Sequence, residues 1–237
     1  QPILSAKNGE IIAYEALMRS QLATLKNPEM ILRIAREEDK LEDVERICIF
    51  KSTETFDQLR KNKLVKEDAL LFINSIASMS LNDEDRERFH RYFSHIQSQI
   101  VVEVTEEENM SEEALIRKRE TKGFSGMFAL DDYGSGYNTE INLLNLSPKY
   151  IKIDLTIVRN IDKDFDKQQL VSNIVEYAHQ REGYIIAEGI ETKEELLKVL
   201  ELGVDYLQGY YLSYPQLNPQ EVSNESIKTI ENYWKKR

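Results

Sequence analysis

Strand-like and helix-like segments alternate along the chain, and this alternation limits its possible folds more than any other feature. Eight short runs rich in β-branched and apolar residues are predicted to be strands, at 2–6, 11–17, 70–74, 100–104, 127–131, 150–153, 184–188 and 205–208. Longer amphipathic stretches are predicted to be helices, at 28–38, 41–59, 83–96, 112–122, 166–180 and 194–202. Such alternation favours a mainly parallel sheet with helices outside it, and eight strands are enough to close a barrel.

The first two strands are the exception to this alternation. Only Lys7-Asn8-Gly9-Glu10 separates them, which is too short for a helical crossover, and Asn-Gly is a favoured hairpin dipeptide. The first strand is therefore predicted to run antiparallel to the second. With no linker and no repeat of fixed period, the 237 residues are expected to form one α/β domain. The predicted fold is a TIM-like (β/α)8 barrel with one antiparallel strand, followed by a helical tail over 216–237.

The charge and the cysteine content exclude several classes of protein. With 42 Asp and Glu against 31 Lys and Arg, the formal charge is −11, which argues against binding of a nucleic-acid duplex through a basic surface. No stretch reaches the roughly 18 apolar residues of a membrane helix and no signal peptide precedes the first strand, so a cytoplasmic location is expected. Cys48 is the lone cysteine, and the three histidines lack metal-ligand spacing, so neither an internal disulfide nor a zinc site is expected.

Polar residues cluster at the carboxyl ends of the predicted strands, where barrel enzymes carry their active sites. They are Glu15, Arg19, Asn74, Glu103, Asp131, Asp132, Lys152, Asp154, Glu188, Glu191 and Gln208. Side-chain alternation places Glu103 opposite Val102 and Val104, on the face expected to line the barrel interior. The adjacent Asp131 and Asp132 reach one site only where their strand breaks, and a Gly-x-Gly pair follows them at 134–136.

Each of these features also has an ordinary interpretation. Lys152 and Asp154 alone fit the solvated face of an amphipathic strand, and Asp131-Asp132 with its glycines fits a turn or a calcium-like loop. The glycines match neither the dinucleotide-binding nor the P-loop pattern. A barrel glycosidase with two rim carboxylates is an alternative, but it gives no role to Asn74 or to Lys152. The coincidence of all these residues at one end of one barrel favours a functional site.

The chemistry of the set points to hard divalent cations. Four of its members offer oxygen ligands, namely Glu15, Asn74, Glu103 and Asp131. Such ligands suit Mg²⁺, Mn²⁺ or Ca²⁺, and Asp132 beside Asp131 allows a second cation a few ångströms away, the arrangement used for in-line displacement at a phosphodiester. Lys152 supplies a fixed positive charge, and Glu188 is a candidate general base. These residues therefore predict metal-assisted phosphodiester hydrolysis.

The motifs of the chain, taken in order, resemble those of the EAL-domain cyclic di-GMP phosphodiesterases. The signature motif is Tyr14-Glu15-Ala16-Leu17-Met18-Arg19. The others are Gln1-Pro2-Ile3, Asn74, Glu103-Val104-Thr105-Glu106, Asp131-Asp132-Tyr133-Gly134-Ser135-Gly136-Tyr137, Lys152-Ile153-Asp154, Ala187-Glu188-Gly189-Ile190-Glu191 and Gln208-Gly209-Tyr210. They occur in the order found in the family and cover residues 1–215.

The resemblance implies a set of site residues and an activity. Its metal ligands are Glu15, Asn74, Glu103, Asp131 and Asp132, which hold two Mg²⁺ or Mn²⁺ ions. Its catalytic residues are Glu188, Lys152 and Glu15, and its substrate-binding residues are Gln1, Leu17, Arg19, Asp154, Glu191 and Gln208. The implied reaction opens one phosphodiester bond of cyclic di-GMP and gives linear pGpG. Degenerate members of the family instead serve as cyclic di-GMP receptors or scaffolds, and the sequence leaves that alternative open.

The resemblance also implies partners. The loop that follows Asp132 takes part in dimer contacts in members of the family, so a homodimer is expected. A regulatory or GGDEF-type domain is expected to be linked to this one in a longer bacterial signalling protein, with a stand-alone domain as the alternative.

Overall fold

Eight strands form one closed barrel, in sequence order around the barrel, in the part of the chain that the structure describes. The structure is a computed structural model and describes residues 1–20, 22, 27–76, 78–105, 127–135, 143–144, 146–219 and 221–237. The strands are β1 (Pro2–Ser5), β2 (Ile11–Ala16), β3 (Leu70–Asn74), β4 (Ile100–Thr105), β5 (Met127–Tyr133), β6 (Tyr150–Ile153), β7 (Tyr184–Ala187) and β8 (Tyr206–Leu207). The predicted TIM-like barrel is confirmed, with every strand end within about two residues of its expected position.

The reversed first strand is also confirmed. β1 pairs antiparallel with β2 and with β8, whereas the other neighbouring strands are parallel. The hairpin between β1 and β2 turns at Gly9, whose φ of 71° lies in the left-handed region that glycine adopts without strain. The Gly9 N–H donates to the Ser5 carbonyl oxygen at 2.8 Å and so closes the turn.

Helices surround the barrel. They are α1 (Pro28–Glu37), α2 (Leu41–Lys61), α3 (Asp83–Phe93), α4 (Leu155–Val158), α5 (Phe165–His179), α6 (Lys193–Glu201) and α7 (Asn224–Lys235). The helix expected at 112–122 lies outside the described residues. The third helix ends at Phe93 rather than at residue 96, and a short 3-10 turn follows at Gln97–Gln99. The intervening stretch carries serine and histidine, which favour a helix interior less than the residues before it.

The expected helical tail forms α7, which packs against the barrel. Ile230 of this helix is fully buried, and the Trp234 indole N–H donates to the Ala6 carbonyl oxygen at 2.8 Å. The last helix therefore covers the outside of the β1–β2 hairpin. Among the described helices, none combines the length and the apolar character needed to cross a membrane.

The barrel interior is built in two layers. The lower layer is a cluster of buried apolar side chains, Ile3, Ala13, Phe72, Val101, Ala129, Tyr150 and Ile186. Side chains alternate along a strand, so the residue two positions further along a parallel strand points into the same interior, one layer closer to the carboxyl ends. This rule gives the upper layer of Glu15, Asn74, Glu103, Asp131, Lys152, Glu188 and Gln208, with Gln1 contributed by the reversed β1.

The other face of each strand packs against the helices. Val102, Val104, Ile151 and Ile153 belong to the large apolar cluster between the barrel and its outer helices. Glu103 and Lys152 therefore face inward, as the alternation of their strands predicts.

Candidate metal and catalytic site

The upper layer gathers charged side chains in a buried place. Lys152 is fully buried and Glu103 is 1% exposed, although both are residue types that are rarely buried without partners. Glu15, Asp131 and Gln208 are also buried. Since burial of a charge is costly unless another charge or a hydrogen bond compensates it, the contacts within this layer decide what it can do.

Lys152 lies at the centre of the carboxylates. Its Nζ is 2.5 Å from Glu103 Oε1, 2.7 Å from Glu188 Oε1 and 2.9 Å from Asp131 Oδ1. Glu15 Oε1 is more distant, at 3.5 Å. One ammonium group thus serves four carboxylates and neutralises at most one of them.

Two amide side chains of the layer, those of Asn74 and Gln208, donate hydrogen bonds to its carboxylates. The Asn74 Nδ2 donates to Glu15 Oε1 at 3.2 Å and to Glu103 Oε2 at 2.9 Å. The Gln208 Nε2 donates to the other Glu15 oxygen at 2.6 Å. A cation placed between Glu15 and Glu103 would require the Asn74 amide to present its oxygen instead, which a rotation about its last side-chain torsion achieves without moving the backbone.

A break in β5 allows both aspartates to face the site. The register between β5 and β6 shifts between Leu130 and Tyr133, and Asp132 has a φ of 56°, in the left-handed region that is uncommon for residues other than glycine. The strand break that the sequence requires for two adjacent aspartates to share a site is therefore present. Such a bulge next to a charged cluster is a frequent feature of functional sites.

The carboxylates form two groups that share one residue. Oxygen atoms of Glu15, Glu103 and Asp131 lie within 4.8 Å of one another, and so do oxygen atoms of Asp131, Asp132 and Glu188. Each group can supply ligands to one ion, with Asp131 between them. A shared carboxylate of this kind is what a ligand bridging two cations requires, and the number of cations stays a prediction.

The donor set fits hard divalent cations. Glu103 Oε1 and Asp131 Oδ1 are buried oxygens that face the Lys152 ammonium at 2.5 Å and 2.9 Å. A carboxylate has more lone pairs than one ammonium can occupy, and carboxylate and amide oxygens are the ligands that Mg²⁺ and Mn²⁺ prefer. The residues present suit the expected cations in type, in number and in charge.

Burial raises the pKa of three acids in the site. It raises the pKa of Glu188 and of Glu103 well above their usual range, and neighbouring negative charges from Asp131 and Glu15 add to this effect. Burial and the charge of Asp131 raise the pKa of Asp132 to about 7. Among the described residues, the carboxylates of the site outnumber the one ammonium group between them, which is the situation that a bound cation relieves.

Two groups of the site remain charged by their contacts. Burial opposes the charge of Lys152, but the carboxylates of Asp131, Glu103 and Glu15 raise its pKa well above the usual range. Burial also opposes the charge of Glu15, but Lys152 and the hydrogen bond from Gln208 lower its pKa overall. These contacts therefore favour the charged forms of Glu15 and Lys152.

Not every residue assigned from the sequence lies in this cluster. Asp154 is the N-cap of α4, where its carboxylate accepts the backbone N–H of Thr156 at 2.9 Å. Glu191 is about half exposed and forms a surface ion pair with Arg159. The substrate contacts assigned to Asp154 and Glu191 stay predictions, since in this structure both side chains bind other residues of the chain.

A groove of about 790 Å³ opens beside the cluster. Of the residues assigned from the sequence, Gln1, Glu15, Leu17, Arg19 and Asn74 line it. The opposite wall comes from α2 and from the segment 214–219, to which the sequence analysis assigned no role. α2 contributes apolar side chains such as Ile47 and Phe56 together with polar ones such as Glu45 and Lys51. The amphipathic pattern of this helix indicates a buried face and gives no separate signal for a groove.

Comparison with known proteins agrees with this architecture. The family model described as EAL domain matches residues 1–215. The cyclic di-GMP phosphodiesterase PdeF of Escherichia coli K12 is 33% identical over 120 residues, which span 50% of this chain and 16% of PdeF. MucR of Pseudomonas aeruginosa, named a bifunctional diguanylate cyclase/cyclic di-GMP phosphodiesterase, is 29% identical over 228 residues, which span 91% of this chain and 32% of MucR. The chain thus spans less than a third of either relative.

A solved structure adds a comparison of the fold. The manganese/cyclic di-GMP complex of Klebsiella pneumoniae BlrP1 has a TM-score of 0.71 and 25% sequence identity to this chain. The superposition covers 91% of this chain and 54% of that one.

Proposed function

Because the chain belongs to the EAL domain family, we propose that it is a metal-dependent phosphodiesterase that hydrolyses cyclic di-GMP to linear pGpG. The observation that carries the proposal is the upper layer of the barrel, in which two groups of carboxylates share Asp131 around a buried lysine. The names of PdeF and MucR, and the manganese/cyclic di-GMP complex of BlrP1, support the same assignment of substrate and metal.

We assign the first cation to Glu15, Asn74, Glu103 and Asp131, and the second to Asp131 and Asp132. Cations bound there supply Lewis-acid activation of the phosphodiester and of the attacking water. They also explain how a chain of formal charge −11 binds a substrate with two negatively charged phosphodiesters, which the carboxylates alone would repel.

The remaining charged groups of the site have separate roles in the proposed reaction. Water adds across one phosphodiester bond: its oxygen bonds to phosphorus, the bond to the sugar oxygen breaks, and that oxygen receives a proton. Glu188 accepts the proton that the water loses, because its carboxylate faces the cluster beside Lys152. Lys152 supplies a fixed positive charge for a phosphoryl oxygen or for the attacking water, since its ammonium is held in place by carboxylates before substrate arrives. Leu17 and Arg19, which line the adjacent groove, contact the dinucleotide.

The test is hydrolysis of cyclic di-GMP with Mg²⁺ or Mn²⁺, followed by chromatographic detection of pGpG. We expect product with either metal, and none after EDTA treatment until the metal is restored. Tight binding of cyclic di-GMP without product would show that the chain acts as a receptor and not as an enzyme. Activity that survives EDTA would contradict the metal assignment, since a carboxylate pair of the glycosidase type works without a cation.

We further propose the setting that the family implies. The domain acts in the cytoplasm as a homodimer and is linked to a regulatory or GGDEF-type domain. The name of MucR, which joins a cyclase and a phosphodiesterase, supports the linkage. Light scattering during size-exclusion chromatography tests the dimer, and a mass equal to that of one 27.7 kDa chain would contradict it.

A further inference from the structure

One buried carboxylate lies on the wall of the groove beside the cluster and is not among the residues assigned to a cation. Glu45 is on α2, outside the barrel, and is only 2% exposed. Acidic side chains are rarely this buried unless hydrogen bonds compensate the loss of water. The partners of Glu45 therefore indicate why a charged residue is kept at this position.

Two partners of Glu45 that the structure describes come just after a residue assigned to the first cation. Its carboxylate accepts the Ser75 hydroxyl, and its second oxygen accepts the backbone N–H of Ile76 at 2.9 Å. These residues come immediately after Asn74, the last residue of β3. Glu45 thus holds the chain at the point where Asn74 projects into the upper layer.

The same segment is tied to a second strand. The Ser75 N–H donates to the Glu103 carbonyl oxygen at 3.0 Å, and Asn74 and Glu103 are register partners between β3 and β4. Glu45 on one side and the Glu103 backbone on the other therefore fix the end of β3. The Asn74 amide meets Glu15 and Glu103 only when that strand end is in place.

We propose that Glu45 is a positioning residue, which orients Asn74 relative to Glu15 and Glu103 and so sets the affinity of the first cation. This inference rests on the cation site of the proposed function and does not require that the chain hydrolyses cyclic di-GMP. Residues that hold metal ligands in place typically change metal affinity or activity by about 10-fold to 100-fold when they are removed.

The test is calorimetric titration of Mn²⁺ into the metal-free chain, without substrate. Glu45→Ala is expected to weaken Mn²⁺ binding by about 10-fold or more. The end of β3 then loses the hydrogen bonds from Ser75 and Ile76 to Glu45 and keeps the one to the Glu103 carbonyl oxygen. Glu45→Gln is expected to stay within about 3-fold of the parent chain, since the amide can accept the Ile76 N–H and donate to the Ser75 hydroxyl. Ser75→Ala, which keeps the Ile76 contact, is expected between the two and serves if Glu45→Ala does not fold.

The matched control is Asp57→Asn. Asp57 is another buried acid on α2, but its partners are Lys61 at 2.6 Å and His95 at 2.9 Å, away from the upper layer. This variant is expected to lower the melting temperature without changing Mn²⁺ affinity, which separates loss of fold stability from loss of metal binding.

Several outcomes would overturn the inference. If Glu45→Ala and Ser75→Ala bind Mn²⁺ as tightly as the parent chain, Glu45 only stabilises the fold. If Glu45→Ala raises KM for cyclic di-GMP at unchanged Mn²⁺ affinity, Glu45 contacts the substrate instead. If the parent chain binds no Mn²⁺, both this inference and the proposed metal site fail. A parent chain that binds Mn²⁺ but makes no pGpG removes the proposed hydrolysis and leaves the role of Glu45 standing.

Discussion

The lower and upper layers of the barrel interior stand two residues apart on the same strands, yet they contribute to the molecule in opposite ways. Phe72 and Ile186 of the lower layer are fully buried among apolar neighbours, so their removal from water stabilises the fold. Lys152 and Glu103 of the upper layer are just as buried, but each is charged and costs free energy to desolvate. Equal burial therefore stabilises the fold in the lower layer. In the upper layer it makes the excess negative charge costly, and this cost favours the binding of cations.

Substitutions in the upper layer should accordingly change turnover more than stability, and substitutions in the lower layer should do the reverse. The largest effect is expected on turnover. Glu188→Gln removes the proposed proton acceptor while keeping the shape of the side chain. We expect kcat to fall by about 10²-fold to 10⁴-fold, with the free energy of unfolding unchanged within about 1 kcal/mol. Initial rates of pGpG formation and urea denaturation measure the two quantities.

Glu201→Gln is the control for this variant, because Glu201 lies at the end of α6 and pairs with Lys198 on the surface. It should leave both quantities unchanged. A Glu188→Gln variant that turns over as fast as the parent chain would remove Glu188 from the mechanism.

The reverse pattern is expected in the lower layer. Phe72 is fully buried, and its ring meets Tyr150 edge to face with centroids 5.1 Å apart. Phe72→Ala should lower the free energy of unfolding by about 3 to 5 kcal/mol, because it leaves a cavity at the centre of the barrel. Phe72→Leu, which keeps most of the volume, should cost less than about 2 kcal/mol. A loss below about 1 kcal/mol for the alanine variant would show that the lower layer is not tightly packed.

Cations should stabilise the chain through the upper layer alone. Any ligand that binds only the folded state adds about 2.7 kcal/mol of stability when its concentration is 100 times its Kd. Mn²⁺ at that ratio should give the same increment in the parent chain and in Phe72→Leu, since the lower layer binds no ion. Urea unfolding with Mn²⁺ and with EDTA measures the increment. An increment that differs between the two chains would show that cation binding in the upper layer depends on packing in the lower layer.

The smallest expected effect lies outside both layers and depends on pH. The pKa of Asp57 is lowered overall, since Lys61 and His95 outweigh the opposing effect of burial. A lowered carboxyl pKa contributes stability that is present above the unfolded value of about 4 and disappears as pH falls through the folded value. Asp57→Asn should therefore be less stable than the parent chain by about 1 kcal/mol at pH 7, and the gap should narrow as pH falls below about 4. A gap that persists in acid would mean that the charge of Asp57 is not its cause.

The fold was predictable from the sequence because two periodicities encode it. The two-residue alternation within each strand placed Glu103 and Lys152 inside the barrel and Val102 and Ile151 against the helices. The short Asn8-Gly9 connection predicted the reversed strand. The short helix α4 was not predicted, because its four residues are too few to show a helical period in the sequence.

The candidate site was predictable in its members but not in its contacts. The sequence placed Asp131 and Asp132 at a strand break, but the left-handed backbone of Asp132 follows from the pairing of β5 with β6. The contacts of Lys152 with four carboxylates bring together residues from different strands, so the sequence pattern of one strand does not predict them. Glu45 gave no signal, because an acid on an amphipathic helix looks the same in a sequence whether it is solvated or buried.

The Asp131 carboxylate is proposed to join two cation sites above an apolar layer. Titration of Mn²⁺ into the metal-free parent chain and into Asp131→Asn tests this proposal, with ion number and affinity read by calorimetry. We expect the parent chain to bind two ions and the variant to bind both of them more weakly. Full retention of both ions by Asp131→Asn, or a parent chain that binds none, would contradict it.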